Sequence, residues 1–147
     1  MKTRFLLAIL VSMLAMALAA CGATTTASSG STTPTASGPT TVQVTLSDFK
    51  IQSSLTAFKV GVVYHFVVTN NGTVTHEFLV GPISMETASE DDRDAAKLFE
   101  VSELEPGHTG TADFTFTKPY PAGVLEFSCH VAGHFEQGMK LPFTVTA

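Results

Sequence analysis

From about residue 42 onward the sequence predicts an all-β fold, a sandwich or barrel of about six to eight short antiparallel strands. Two observations carry this expectation. Short runs either alternate apolar and polar side chains or are dense in β-branched and aromatic ones. Gly, Pro and Asn punctuate those runs at short intervals. No internal repeat is visible, and the preceding residues differ sharply in composition.

Residues 1–20 read as a secretory signal, with Lys2 and Arg4 as the basic start and residues 5–18 as the apolar run. A membrane-spanning anchor is the competing reading. The run is shorter than the ~20 apolar residues a span needs, and Ser12 interrupts it. Leu18-Ala-Ala-Cys21 resembles the bacterial lipoprotein cleavage box. That resemblance implies that Cys21 becomes the first mature residue and carries lipid on its thiol and amine. Residues 22–41 are almost exclusively Ala, Thr, Ser, Gly and Pro. With Cys21 they are expected to form a flexible tether, residues 21–41, with a typical end-to-end distance of ~25 Å. The folded domain is then 42–147. The chain has 2 cysteines, and a Cys21–Cys129 disulfide is the alternative in an exported protein. Lipidation of Cys21 would leave Cys129 as the free thiol.

The 8 Lys and Arg against 13 Asp and Glu give a formal charge of −5, and removal of Lys2 and Arg4 with the leader makes it −7. That balance argues against nucleic acid as a partner.

The elements follow in order. Val42-Gln-Val-Thr-Leu46 alternates as a half-buried strand does. Phe49, Ile51 and Leu55 continue along an edge, with Ser53-Ser54 as a break. Residues 59–70 are the most strand-like run, rich in Val with Tyr64 and Phe66. Asn70-Asn71-Gly72 predicts a hairpin turn, because Asn and Gly tolerate positive φ. The returning strand, over 74–80, carries His76. Residues 82–104 break the β pattern. There Thr87-Ala-Ser-Glu90 fits a capping box and opens a short helical insertion near 87–99, with Ala95, Leu98 and Phe99 as its buried stripe. Eight acidic residues between Glu86 and Glu105 against Arg93 and Lys97 give this insertion a charge of −6. A solvated face accounts for it, and a patch that steers a basic partner is the alternative. Glu105-Pro-Gly107 is a turn, and residues 109–116 alternate as a strand. Lys118-Pro-Tyr-Pro-Ala-Gly123 is another turn, and strands over 124–129 and 143–146 complete the set.

The chemistry concentrates in Cys129-His-Val-Ala-Gly-His134-Phe-Glu-Gln-Gly-Met139. A thiolate, an imidazole and a thioether are soft and borderline ligands that suit copper, and two flanking strands can close such a loop around one ion. Strand alternation supplies a separate test. Leu125, Phe127 and Cys129 share one face, opposite Glu126, Ser128 and His130; the apolar set must be the buried one. His76, Phe78 and Val80 likewise share a face, opposite Glu77. Cys129 and His76 are therefore both expected to point inward. Either alone reads as an ordinary core residue; together with His134 and Met139 they read as a metal site. The geometry expected is trigonal, with a long axial contact to Met139. His65 and His108 are expected to have ordinary surface roles, and Met85 to pack near the site.

On these residues the chain resembles the cupredoxins, the type 1 or blue copper proteins of the plastocyanin/azurin class. Its Cys-x4-His-x4-Met spacing is similar to that of rusticyanin and auracyanin. The landmarks are Thr-His76-Glu-Phe, Glu105-Pro-Gly and Phe-Ser-Cys129 to Met139. The resemblance implies a Greek-key β-sandwich, one type 1 copper ion on His76, Cys129, His134 and Met139, and one-electron transfer rather than catalysis. It also implies an outer link between Glu77 and His130, with simple solvation of both as the alternative. The chain departs from the pattern at Ala132, where relatives often have Pro, and at Leu141-Pro142, where they commonly have Gly two residues after the methionine.

The expected function is a lipid-anchored copper protein outside the cytoplasmic membrane, carrying single electrons between partners such as a cytochrome or terminal oxidase. His134 is the expected exit for the electron, with Ala132, Phe135, Pro82 and Pro142 as candidates for an apolar docking surface. Envelope copper binding, delivery or sensing with the same ligands is the alternative. A third reading, a structural lipoprotein with a vestigial site, fits four intact ligands poorly.

Overall fold

The computed structural model describes residues 38–85 and 87–147. The expected leader, Cys21 and the expected tether as far as residue 37 lie outside the described residues. Among the described residues nine strands follow in order: β1 (Thr40–Ser47), β2 (Lys50–Ser53), β3 (Ala57–Lys59), β4 (Val63–Asn70), β5 (His76–Pro82), β6 (Phe99–Leu104), β7 (Thr109–Thr115), β8 (Tyr120–Ser128) and β9 (Lys140–Thr146). A 3-10 turn (Ile83–Met85) and one helix, α1 (Glu90–Ala96), lie between β5 and β6. The strands form a sandwich of two sheets, ordered β2-β1-β4-β7 and β3-β9-β8-β5-β6. The all-β sandwich expected from the sequence is thus present, beginning at Thr40.

Alternation fills the space between the sheets. Val42, Val44 and Leu46 of β1 and Tyr64, Phe66 and Val68 of β4 face Phe78 and Val80 of β5, Leu125 and Phe127 of β8, and Phe143 and Val145 of β9. Phe58 sits at the hub of this core. Its ring centroid lies 4.9 Å from Tyr64, 5.3 Å from Phe116 and Phe143, 5.9 Å from Phe66 and 6.0 Å from Phe127. Several of these contacts are tilted or edge-to-face, as ring quadrupoles prefer.

Five local expectations are corrected. The run over 59–70 is not one strand. It breaks at Gly61, whose φ of +78° turns the chain from β3 in one sheet to β4 in the other. Asn70-Asn71-Gly72 is not a hairpin turn, because β4 and β5 belong to different sheets. The inner faces of these two strands must oppose each other across the core, and hairpin neighbours in one sheet cannot do that. Asn70 instead pins the crossing: it is fully buried, and its Nδ2 donates to the carbonyls of Val74 (2.8 Å) and Leu104 (2.7 Å).

The helical insertion near 87–99 is shorter than expected. Ser89, not Thr87, caps α1, its Oγ accepting from the Asp92 amide at 3.2 Å. α1 buries no residue, so Ala95, Leu98 and Phe99 form no stripe. Phe99 opens β6 and packs on Phe66 and Phe114, each at 4.9 Å. The strand β6 hid from periodicity because it is bulged. His76 and Phe78 of β5 pair with Leu104 and Val101, and Glu103 takes a φ of +53° where the extra residue is absorbed.

Residues 118–123 are not simply a turn: β8 already starts at Tyr120 and reaches its regular register at Leu125. Finally, the sandwich is not wholly antiparallel. β1 pairs parallel with β4, and β3 with β9.

Glu126 and Ser128 do lie opposite the core face of β8, yet they are buried. The segment joining β5 to β6 covers this outer face, with Met85 buried against it. Beside it α1 leaves a polar cleft lined by Glu77, Glu90, Arg93, Asp94, Glu100 and His130. Lys97 bridges Asp94 (2.8 Å) and Glu100, so part of the insertion's charge is balanced internally.

The Phe58 hub generates a test. Phe58→Ala should lower unfolding free energy by about 3–5 kcal/mol, the usual cost of emptying a buried aromatic site, read by urea denaturation of the metal-free protein. A loss below about 1 kcal/mol, the scale of a surface substitution, would contradict the packing described.

Candidate metal centre

The site lies where β5 begins and β8 ends. His76 is the first residue of β5, and Cys129 directly follows β8. These two strands pair antiparallel, Leu79 opposite Ser128 and Val80 opposite Phe127, which sets both residues at the same end of the sheet. The loop from Cys129 to Met139 then folds back on itself. The Cys129 amide donates to the Met139 carbonyl (3.1 Å), and the Met139 amide to the His134 carbonyl (3.1 Å). Gly133 and Gly138 take φ values of +83° and +92° at its bends, where side chains would be strained. Leu141 and Pro142 run in register opposite Phe127 and Glu126 in β9, so the departure at these positions is carried by the sheet.

Three donor atoms converge in the interior. The Nδ1 atoms of His76 and His134 are 3.0 Å apart, and the Cys129 Sγ lies 3.3 Å from His134 Nδ1 and 3.9 Å from His76 Nδ1. All three residues are buried. Met139, at the other end of the loop, is fully buried in the same core. Two buried imidazoles and a buried thiol within 4.8 Å of one another match the donor chemistry of a copper ion. The residues therefore fit the group: His76, Cys129 and His134 would hold it, with Met139 alongside.

The surroundings set the proton chemistry. Burial raises the Cys129 thiol above its usual range, opposed by the amides of Glu77 and Val131. The Glu77 amide lies 3.5 Å from the sulfur. Burial also lowers the His76 imidazole, and the neighbouring His134 lowers it further. The Glu77 carboxylate accepts a hydrogen bond from the backbone amide of His130 at 2.7 Å. Glu77 and His130 are thus linked, through the His130 main chain rather than its imidazole. That ring turns instead to Ser128 Oγ (3.1 Å) and stacks on Phe135, with centroids 4.6 Å apart.

The expected docking residues divide. Ala132 is exposed, whereas Phe135 is buried beneath His130 and the Lys140 ammonium. Pro142 lines a separate cleft with Thr56, Ala57 and Ala122. His65 lies on the surface against Asp113 (2.5 Å), and His108 is exposed.

Asp48 escaped the sequence reading altogether, and Phe49, expected along an edge strand, lies instead in the turn before it. Asp48 and Phe49 form the turn between β1 and β2, distant in sequence from every ligand. Asp48 Oδ1 lies 3.5 Å from His76 Nε2. Phe49, 41% exposed, meets the His134 ring edge-on at 5.5 Å. The only local signal was a two-residue polar-aromatic turn, which carries no hint of its target.

No family model matches the chain. The copper-resistant cuproprotein CopI of Rubrivivax gelatinosus is 30% identical over 105 residues, covering 67% of this chain; the chain spans 62% of that protein's length. Among solved structures, auracyanin from Roseiflexus castenholzii aligns at a TM-score of 0.55 and 18% identity, over 74% of this chain and 98% of that one. Auracyanin A, a blue copper protein from Chloroflexus aurantiacus, aligns at 0.52 and 17%, over 74% and 100%. At these identities the structural likeness is one of fold.

The buried thiol generates a pH prediction. Cys129 is protonated below its raised pKa and must lose that proton to bind a metal ion. Cu(II) affinity should therefore rise about tenfold per pH unit between about pH 7 and 8, above the ordinary imidazole range. Chelator competition, corrected for the chelator's own protonation, reads this. A pH-independent affinity would contradict thiolate ligation.

Proposed function

We propose that this chain, which has the cupredoxin fold, binds one copper ion on His76, Cys129, His134 and Met139 and carries single electrons between redox proteins outside the cytoplasmic membrane. The observation that supports this best is the convergence of the two Nδ1 atoms and the Cys129 sulfur in a buried, loop-closed cage. A bound copper ion supplies a one-electron Cu(II)/Cu(I) couple. The protein's part is to keep the donors in one place through both states. The Glu77 amide faces the sulfur, the Glu77 carboxylate anchors the next residue, and the Cys129–Met139 main-chain bond closes the loop. Preorganised donors of this kind lower the rearrangement that accompanies electron exchange.

The proposed place is the outer side of a bacterial membrane, reached by the leader and held by lipid on Cys21. Among the described residues no helix is long and apolar enough to cross a membrane. Electron partners such as a cytochrome or terminal oxidase would dock near His134, whose ring packs against the exposed Phe49. A second reading, envelope copper binding, delivery or sensing, is favoured by the likeness to CopI, a copper-resistant cuproprotein.

Loading the purified protein with Cu(II) tests the common ground. One copper per chain, an intense thiolate-to-copper absorption band and a narrow copper hyperfine splitting in EPR are expected, all lost in Cys129→Ala. A colourless copper adduct would overturn the type 1 assignment. Rapid, reversible electron exchange with a cytochrome, without copper loss to a competing chelator, then favours the carrier. Facile copper transfer with slow electron exchange favours delivery.

A further inference from the structure

The far side of His76 is built as deliberately as its metal-facing side. If Nδ1 is offered to an ion, the imidazole proton must sit on Nε2. That nitrogen is fully buried and has no hydrogen-bond partner at ordinary length. A buried N–H without an acceptor costs about 1–3 kcal/mol, so a ligand histidine in this position needs one. The group that faces it is the Asp48 carboxylate, with Oδ1 at 3.5 Å.

Three features hold that carboxylate in place. The Thr73 amide donates to Oδ1 at 2.9 Å and the Thr73 hydroxyl to Oδ2 at 2.8 Å, which ties the β1–β2 turn to the segment leading into His76. The turn itself is unusual, since Phe49 adopts a φ of +60°, a left-handed conformation rare for a bulky residue. Between carboxylate and imidazole the chain has Gly72. A Cβ there would lie 2.6 Å from Asp48 Oδ1 and 2.7 Å from His76 Nε2. The missing side chain leaves open the one line of approach between the two groups.

We propose that Asp48 is a positioning residue of the metal centre: its carboxylate accepts the Nε2–H of His76, fixes the tautomer that offers Nδ1 to the ion, and biases the site toward Cu(II). This rests on the copper reading above. A short closing movement of the turn converts the 3.5 Å approach into a hydrogen bond. The negative charge then passes through the polarised imidazole to favour the more highly charged ion. Because Asp48 is partly exposed, solvent screens its charge, and the effect is expected at the lower end of the range for outer ligands.

Three variants of the full chain test this. Asp48→Asn keeps an acceptor for His76 and lets the Thr73 hydroxyl turn to accept from the new amide, so it removes mainly the charge. It should lower the ratio of Cu(II) to Cu(I) affinity about tenfold, which for a one-electron couple is a rise of about 59 mV in potential. Asp48→Ala removes the acceptor too and should weaken Cu(II) binding by ~10–100-fold. Gly72→Ala keeps both partners but places a methyl group between them, and should reproduce the loss of Asp48→Ala. An independent readout needs no variant. In the wild-type protein loaded with Cu(I) or Zn(II), nitrogen-15 NMR should show the His76 proton on Nε2, protected from exchange.

An unchanged Cu(II) to Cu(I) ratio in Asp48→Asn, or a His76 proton found on Nδ1 or exchanging freely, overturns the proposal while leaving copper binding intact. A wild-type protein that takes up no copper overturns both readings, so the two failures are distinguishable.

Discussion

Glu77 makes the two contacts on which the geometry of the site depends. Its amide faces the Cys129 sulfur, and its carboxylate receives the amide of His130. One residue thereby joins the start of β5 to the end of β8 at the point where regular pairing stops. A hydrogen bond to a charged acceptor is worth roughly 1.5–3 kcal/mol. Here burial opposes it by raising the Glu77 carboxyl pKa, and the His130 amide offsets part of that rise. The clasp extends the tie between the two strands past Leu79 and Ser128, the last regular pair, toward His76 and Cys129. The loop to Met139 and the second histidine can then close only because the first two donors are already in register.

The sequence made the donors legible because their placement depends on strand alternation alone. Cys129 follows Leu125 and Phe127 on an inward face, and His76 precedes Phe78 and Val80 on another; period-two patterning survives wherever a strand is regular. It failed where the backbone departs from that period. The bulge at Glu103 concealed β6, and the left-handed Gly61 concealed the passage from one sheet to the other. The turn residues after β4 were correctly seen as a break, but local chemistry cannot say whether a chain doubles back or crosses the sandwich. The pairing of Asn70 with Val74 and Leu104 decided that, and Leu104 is remote in sequence.

Asp48 and Phe49 mark the deeper limit of such a reading. Their side chains matter through what lies opposite them, one on His76 and the other on His134. Both histidines are brought to this turn by the sandwich as a whole. The consequence is a centre enclosed from three directions: the β5–β8 clasp, the loop from Cys129 to Met139, and the tip of the β1–β2 turn. Phe135, expected at the surface, is instead buried behind the loop, and Phe49 supplies the exposed aromatic edge beside His134.

We infer that the fold assembles the cage before any ion arrives. Crystal structures of the metal-free and copper-loaded protein test it most directly. The expected result is an ion bound by His76 Nδ1, Cys129 Sγ and His134 Nδ1, with the backbone of 129–139 moving by less than about 1 Å, as in preorganised sites. An ion bound elsewhere, or a loop that must refold to reach it, would contradict a preassembled cage.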